Sequence, residues 1–456
     1  SSGRMSANDI AIPSKRQAAP DLPASDKGIW APARACHRLT IPLLRDGYVH
    51  LLGHEFDGGG RPFGGKRPSA RKEFMMATGV YERLALFLDD LPAGFPATDS
   101  GVELRILRRL FTPEEAELAL HLTLLAEPAR VIARRAKIPV EEATQRLQEM
   151  ERKGLIFVYH RDGREPEYMA THFAVGIYEF QVNRLDPELV DDLEEFKPAW
   201  FDQSGWDRAP QLRTVPVGES IDAQVEVMSY ERAEALVRGQ KRFAVGPCIC
   251  RQEAQIAGNG CNMPLETCLI MGSAATYYVH NGMGRTIDLA EALAILARAE
   301  EVGLVLQPSN AKKAMNICTC CGCCCGILTN VKRHPKPASL VASPFVAALD
   351  VDLCEGCGVC ETRCQMEAVC LADDRLAGEH AVLDPDRCIG CGLCITTCPT
   401  GALSLVRKPQ AEQPYVPRDL VDQNIKLAQA RSKLTTAGMV SMLVRSRMDR
   451  LLAPKP

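Results

Sequence analysis

One cysteine spacing governs what this chain can become. The segment Cys354-Glu-Gly-Cys357-Gly-Val-Cys360-Glu-Thr-Arg-Cys364 is followed, 24 residues after Cys364, by Cys388-Ile-Gly-Cys391-Gly-Leu-Cys394-Ile-Thr-Thr-Cys398-Pro399. Each run has the spacing C-x2-C-x2-C-x3-C. Three cysteines at intervals of three on a tight loop can reach three corners of an iron–sulfide cubane, where each iron takes one thiolate. Gly356, Gly358, Gly390 and Gly392 let backbone N–H groups approach the cluster sulfides. A zinc ion needs two CxxC pairs and leaves the third and fourth cysteine of each run unexplained.

Over about 350–405 the runs resemble the bacterial two-cluster ferredoxins. In that family the fourth cysteine of a run lies on the following helix and ligates the other cluster. The resemblance implies that Cys354, Cys357, Cys360 and Cys398 hold one [4Fe–4S] cluster and that Cys388, Cys391, Cys394 and Cys364 hold the second. One position departs from the family: Gln365 stands where a proline often follows the fourth cysteine, as Pro399 does in the second run. Cys370 falls outside both runs and is expected to be a buried apolar side chain.

Of the 20 cysteines, 19 lie after Val245, so they serve a local purpose. Ten precede the ferredoxin runs. Cys248, Cys250, Cys261 and Cys268 form one group, and Cys318, Cys320, Cys321, Cys323, Cys324 and Cys325 the other. Cys318, Cys321 and Cys324 keep the C-x2-C-x2-C interval, and Cys320 with Cys323 forms an interleaved pair. The triplet is expected to find its fourth ligand among Cys248, Cys250, Cys261 and Cys268. Cys248, Cys250, Cys261, Cys268, Cys318, Cys320, Cys321, Cys323 and Cys324 are the candidate upstream ligands, for one or two further [4Fe–4S] clusters or, alternatively, for zinc. A thiol or persulfide reaction centre is a third reading. Arg251 is expected either to tune charge at this site or to form a surface salt bridge. The Cys-x-Cys-Arg, Pro-Leu-Glu-Thr-Cys-Leu and Cys-Cys-x-Cys-Cys-Cys motifs resemble a 4Fe–4S dicluster-domain family of anaerobic bacteria, over roughly 95–405. That resemblance implies a redox setting and not a particular reaction.

The formal net charge of −3 argues against a protein built mainly to coat nucleic acid. No basic segment, apolar run and cleavage site occur in order near the start, and no apolar run reaches about 18 residues. The expectation is a cytoplasmic chain without a transmembrane helix, whose reduced thiols are free to bind metal.

The pattern divides the chain into a disordered arm (1–35), an irregular segment (36–100), a winged-helix-like docking domain (101–200), a cysteine-rich metal domain (201–345), a ferredoxin domain (346–408) and a helical tail (409–456). In the irregular segment, the Gly-rich stretch 56–66 reads as a loop, and Cys36, His37, His50 and His54 match no metal-site spacing. Helices are expected from Pro113, over 129–137 and over 140–153, then a strand over 155–160 and a turn at 161–164. From Pro113 to Glu165 ten acids face nine Lys and Arg, and Glu141 and Glu142 open the third helix. A DNA reader needs a basic face there, so protein docking is the expected use. Over 211–303 the pattern reads as α/β, with a strand over 213–217 and helices over 231–239 and 288–302. The tail over 419–452 reads as one long helix docked on this chain or on a partner.

The fold class is thus multidomain α+β: a winged-helix-like helical domain, a cysteine-rich α/β metal domain, a ferredoxin-like βαβ domain and a C-terminal helix. The expected function is an electron-transfer subunit or adaptor serving a larger redox enzyme in anaerobic metabolism. The alternatives are a reductase whose upstream site is fed by the ferredoxin clusters, and a redox-sensing winged-helix regulator.

Overall fold

The computed structural model describes residues 79–222, 225–374, 378–433 and 435–454. The N-terminal arm, the 56–66 loop, and Cys36 with His37, His50 and His54 lie outside them.

The helical part begins with α1 (Val80–Asp90) and α2 (Val102–Leu110). Helix α3 (Pro113–Ala119) starts where local chemistry directs. Thr112 Oγ1 accepts from the Glu115 N–H at 3.2 Å, and the Glu115 carboxylate accepts from the Thr112 N–H at 2.8 Å. Two backbone donors that a helix start leaves unpaired are thereby satisfied. Then follow β1 (Glu127–Pro128), α4 (Ala129–Ala136), α5 (Val140–Arg152), β2 (Phe157–Tyr159) and β3 (Glu167–Met169). The three strands form a sheet in the order β1-β3-β2. Its core holds Ile132, Leu147, Met150, Val158 and Tyr168, all buried. Helix α6 (Pro187–Gln203), capped by Asp186, runs from this part toward the cysteines.

The cysteine-rich part contains α7 (Ala233–Arg238), β4 (Phe243–Pro247), α8 (Ile249–Ile256), β5 (Glu266–Met271), α9 (Gly272–His280), β6 (Arg285–Ile287), α10 (Leu289–Val302), β7 (Val305–Pro308), β8 (Asn316–Cys320) and α11 (Gly326–Arg333). Five strands make one sheet, β6-β4-β5-β8-β7, with every pairing antiparallel. The segment 213–217 is not a full strand; Leu212, Arg213 and Val215 make single bridges to Ser309, Ala342 and Leu306. Helix α10 begins where Asp288 accepts from the Glu291 N–H at 2.8 Å and stops at Gly303, whose φ of 86° suits glycine.

In the last cysteine-rich stretch, β9 (Phe345–Leu349) pairs with a later strand, β12 (Leu403–Arg407). Between them lie α12 (Val359–Arg363) and the antiparallel pair β10 (Val369–Asp374) and β11 (Gly378–Leu383). Cys370 is half-buried on β10, opposite Val382.

The tail is two helices rather than one, α13 (Leu420–Ala430) and α14 (Thr436–Leu452). The chain breaks where Ser432 takes a φ of 57° and Thr435 caps the second helix. Both helices dock on this chain. Arg431 bonds the carbonyls of Asp89 and Leu91, and Arg135 is held between Glu127 and Asp449, each at 2.6 Å. Among the described residues, no helix is long and apolar enough to cross a membrane.

Candidate metal centre

The two C-x2-C-x2-C-x3-C runs fold as near-repeats around two cavities. One cavity is lined by Cys354, Cys357, Cys360 and Cys398, with Leu349, Leu371 and Leu403 around them. The other is lined by Cys364, Cys388, Cys391 and Cys394, with Met366, Val369 and Leu393. Each thus gathers three cysteines of one run and the fourth of the other. Cys364 ends α12, whereas Cys398 closes a turn and not a helix: its N–H donates to Ile395 O at 3.2 Å.

The backbone supplies the same approach twice. The Ala381 N–H donates to Cys354 Sγ and the Ala347 N–H to Cys388 Sγ, each at 3.4 Å. Gly356 and Gly390 have φ of 65° and 66°, and a Cβ on either would lie 2.2 Å from a backbone oxygen, of Glu379 or Phe345. No other residue fits there without moving the strands that aim those N–H groups. These donors and glycines fit anionic thiolates around an iron–sulfide cluster. Burial pushes the Cys391 thiol up to about 12. A buried set of this kind needs bound metal to hold its thiolates.

The ten upstream cysteines separate into two sets. In the compact set, the sulfurs of Cys261, Cys321, Cys323 and Cys324 all lie within 4.8 Å of one another. Cys261 and Cys321 are 3.9 Å apart, Cys323 and Cys324 3.6 Å. The other set is a partly buried ribbon in which neighbouring thiols follow in the order Cys248, Cys250, Cys325, Cys320, Cys318, Cys268. Cys248 and Cys325 are the N-caps of α8 and α11, Cys250 lies in the first turn of α8, and Cys268, Cys318 and Cys320 lie on β5 and β8. Two helix N-termini therefore point their positive ends at the ribbon, which favours thiolates.

This division corrects the expected triplet. Cys318 does not meet Cys321 and Cys324, because 316–320 is a strand. Its period of two turns Cys318 and Cys320 to one face, toward the ribbon, and the loop beyond carries Cys321 elsewhere. Cys261 is the member of the first group that meets Cys321 and Cys324. Cys325 was not among the expected ligands and joins the ribbon. Its signal, a cysteine directly before Gly326 at a helix start, has no spacing partner.

Arg251 is 1% exposed and is no surface salt bridge. It donates to Pro264 O at 2.6 Å, Thr267 Oγ1 at 2.8 Å and Thr319 O at 2.6 Å. Burial opposes its charge, but Cys248, Cys321 and Cys320 outweigh burial and raise its pKa. The guanidinium thus stands between the two sets. Cys321 is drawn down to about 4, first by the Cys323 thiol, with help from the Cys324 N–H and Arg251 against burial.

A chain of polar groups leads from the ribbon outward. The Tyr178 hydroxyl lies 3.7 Å from Cys250 Sγ and donates to Glu253 Oε2 at 2.5 Å. Lys197 Nζ reaches that same oxygen at 2.7 Å and Glu194 at 2.7 Å. Glu194 is 56% exposed. Burial raises Glu253 to about 7, with Lys197 opposing it.

Residues 381–404 match the family model of the 4Fe-4S binding domain. The matched stretch holds Cys388, Cys391, Cys394 and Cys398, so the chain carries a ferredoxin-like iron–sulfur module. No curated protein and no solved structure matches the chain.

Proposed function

We propose that this chain is an electron-transfer subunit or adaptor of a larger redox complex, with two [4Fe–4S] clusters in its ferredoxin part. The observation that carries the reading is the exchange of fourth cysteines between the two cavities, which gives each of them four sulfurs. Bound there, such clusters accept and pass on single electrons. The chain's own residues hold the thiolates, aim the Ala381 and Ala347 N–H groups at sulfur and shut the second cavity behind Met366 and Leu393. The first cavity lies nearer the surface: Cys357 is exposed, as are Val351, Leu353 and Val359 nearby. An electron partner would approach on that side. The helical part, with its order of three helices and a hairpin and its mixed charge, serves as a winged-helix-like docking module. The complex is read as one of anaerobic metabolism, a reading supported by the resemblance of the cysteine motifs to dicluster-domain proteins.

The upstream sets differ in what they suit. A tetrahedral zinc with Zn–S of about 2.3 Å sets its four sulfurs about 3.8 Å apart, and a cubane spreads its ligands over four separate irons. Separations of 3.6 and 3.9 Å in the compact set therefore favour a single zinc, as a structural clamp. The ribbon, longer and with six sulfurs, suits a further iron–sulfur cluster.

A second reading makes the ribbon a reductase site fed by the ferredoxin clusters. The chain from Cys250 through Tyr178, Glu253 and Lys197 to solvent favours it, because pure electron carriers need no such path. Reducing the anaerobic protein and titrating it with one-electron acceptors tests the first reading. Rapid single-electron exchange by the ferredoxin clusters supports it, and failure of every cluster to cycle contradicts it. Turnover by the isolated chain, with no partner, would establish the second.

A further inference from the structure

We propose that Glu151, His160 and His280 form a separate site for a divalent transition-metal ion of the zinc class, joining the helical part to the cysteine-rich part. None of the three takes part in the sulfur centres. Glu151 lies near the end of α5, His160 follows β2, and His280 is the last residue of α9. Glu151 and His160 are nine residues apart, His280 comes 120 residues after His160, and the fold brings all three to one point.

One donor atom from each lies within 4.8 Å of the other two. His160 Nε2 is 2.6 Å from Glu151 Oε1, and His280 Nε2 is 4.0 Å from the same oxygen. The two imidazole rings stack with centroids 4.2 Å apart and planes tilted by 33°. Both ring nitrogens therefore face one carboxylate oxygen. A hydrogen bond explains only the first: at 4.0 Å the second nitrogen makes none. An ion between the three donors explains both. Two imidazole nitrogens and a carboxylate oxygen are a donor set that zinc takes, with bonds of about 2.0–2.2 Å. Such bonds set donors about 3.4 Å apart in a tetrahedron, between the 2.6 and 4.0 Å seen.

The surroundings are built for it. Glu151 is 4% exposed at its side chain, His160 24% and His280 53%, so the carboxylate is fixed and the outer imidazole can swing in. Tyr277, one turn before His280, donates to Ile156 O at 2.7 Å and packs on Phe157 with centroids 4.7 Å apart. These contacts lock α9 against β2 independently of the ion. Asn281 Nδ2 reaches Glu151 Oε1 at 3.4 Å, and Asn281 Oδ1 is buried with no partner. The nitrogen and oxygen donors distinguish this site from the thiolate centres, whose ligands are all sulfur.

The full chain, with its iron–sulfur clusters in place, provides the test. It is treated with a chelator, loaded anaerobically with zinc, gel-filtered and assayed for zinc and iron. The parent should retain one zinc per chain more than His280→Ala, with iron unchanged. His280 is exposed, so its loss leaves the core intact, and His160→Ala should lose the same zinc. The zinc-edge X-ray absorption difference between parent and variant should show nitrogen and oxygen ligands only. Equal zinc in parent and His280→Ala, or a difference that shows sulfur ligands, overturns the proposal.

Discussion

Gly322, between Cys321 and Cys323, donates its backbone N–H to Gln365 Oε1 at 2.6 Å, so the residue after Cys364 is bonded to the loop of the compact cysteine set. The same side chain donates its Nε2 to Gly303 O at 2.9 Å, and Arg363 donates to Glu301 O at 2.8 Å, where α10 ends. Gln365 is the position where the ferredoxin pattern has proline. Its departure gives the ferredoxin part a fixed seat on the upstream cysteines. Gln365→Pro restores the usual residue and removes both bonds. It should lower unfolding stability by about 1–3 kcal/mol, as for a buried pair left unmade. Denaturant midpoints measure the loss, and iron content should stay that of the parent. An unchanged midpoint would show that the seat is held elsewhere.

Ligand crossing predicts which cluster each single variant damages. Cys398→Ala should spoil the cluster at Cys354, Cys357 and Cys360, and Cys364→Ala the one at Cys388, Cys391 and Cys394. Electron paramagnetic resonance of the reduced variants separates the two. Damage to the sequence-adjacent cluster in both cases would refute the crossing.

Arg251→Met keeps bulk and removes charge. It strands the carbonyls of Pro264 and Thr319, which the guanidinium now satisfies. About 1–3 kcal/mol should be lost for each buried group left unpaired. The Cys323 thiol and the Cys324 N–H still hold Cys321 low, but the further help from the Arg251 charge goes, so the compact set should bind zinc more weakly. Competition with a chromogenic chelator reads that affinity. Unchanged affinity would confine Arg251 to a packing role.

Acid should weaken the seat of the tail. His172 is buried, and burial lowers its pKa from 6.5 to about 4, although it bonds Asn424 Oδ1 of α13 at 3.1 Å. The folded pKa lies below the unfolded one, so the unfolded chain binds the extra proton between them. Stability from this group is full above about pH 6.5 and falls as pH drops toward 4, by about 3 kcal/mol in all. Unfolding curves for the parent and His172→Gln across this window should converge toward the acid end. Parallel curves would mean that His172 does not set the slope.

What could be read from sequence was what depends on short spacing. The ferredoxin runs, the helix start at Pro113 and the helix start at Asp288 each depend on a few neighbouring residues. The sorting of the upstream cysteines was hidden, because it depends on β8 being a strand. Ile317 and Thr319 are buried on one face and alternate with Cys318 and Cys320, and this period of two was the signal missed. The break in the tail was hidden too, since Arg431 is fixed by Asp89 and Leu91, more than 300 residues earlier. Glu151, His160 and His280 have no common spacing, and only the packing of α9 on β2 brings them together.

The central claim is that the C-terminal cysteines hold two four-iron clusters. Iron and acid-labile sulfide per chain, after anaerobic purification, test it most directly. The account predicts at least about eight irons with a matching number of sulfides, and a surplus beyond about eight if the cysteine ribbon also holds a cluster. About four irons or fewer, or zinc in place of iron with no sulfide, would contradict it.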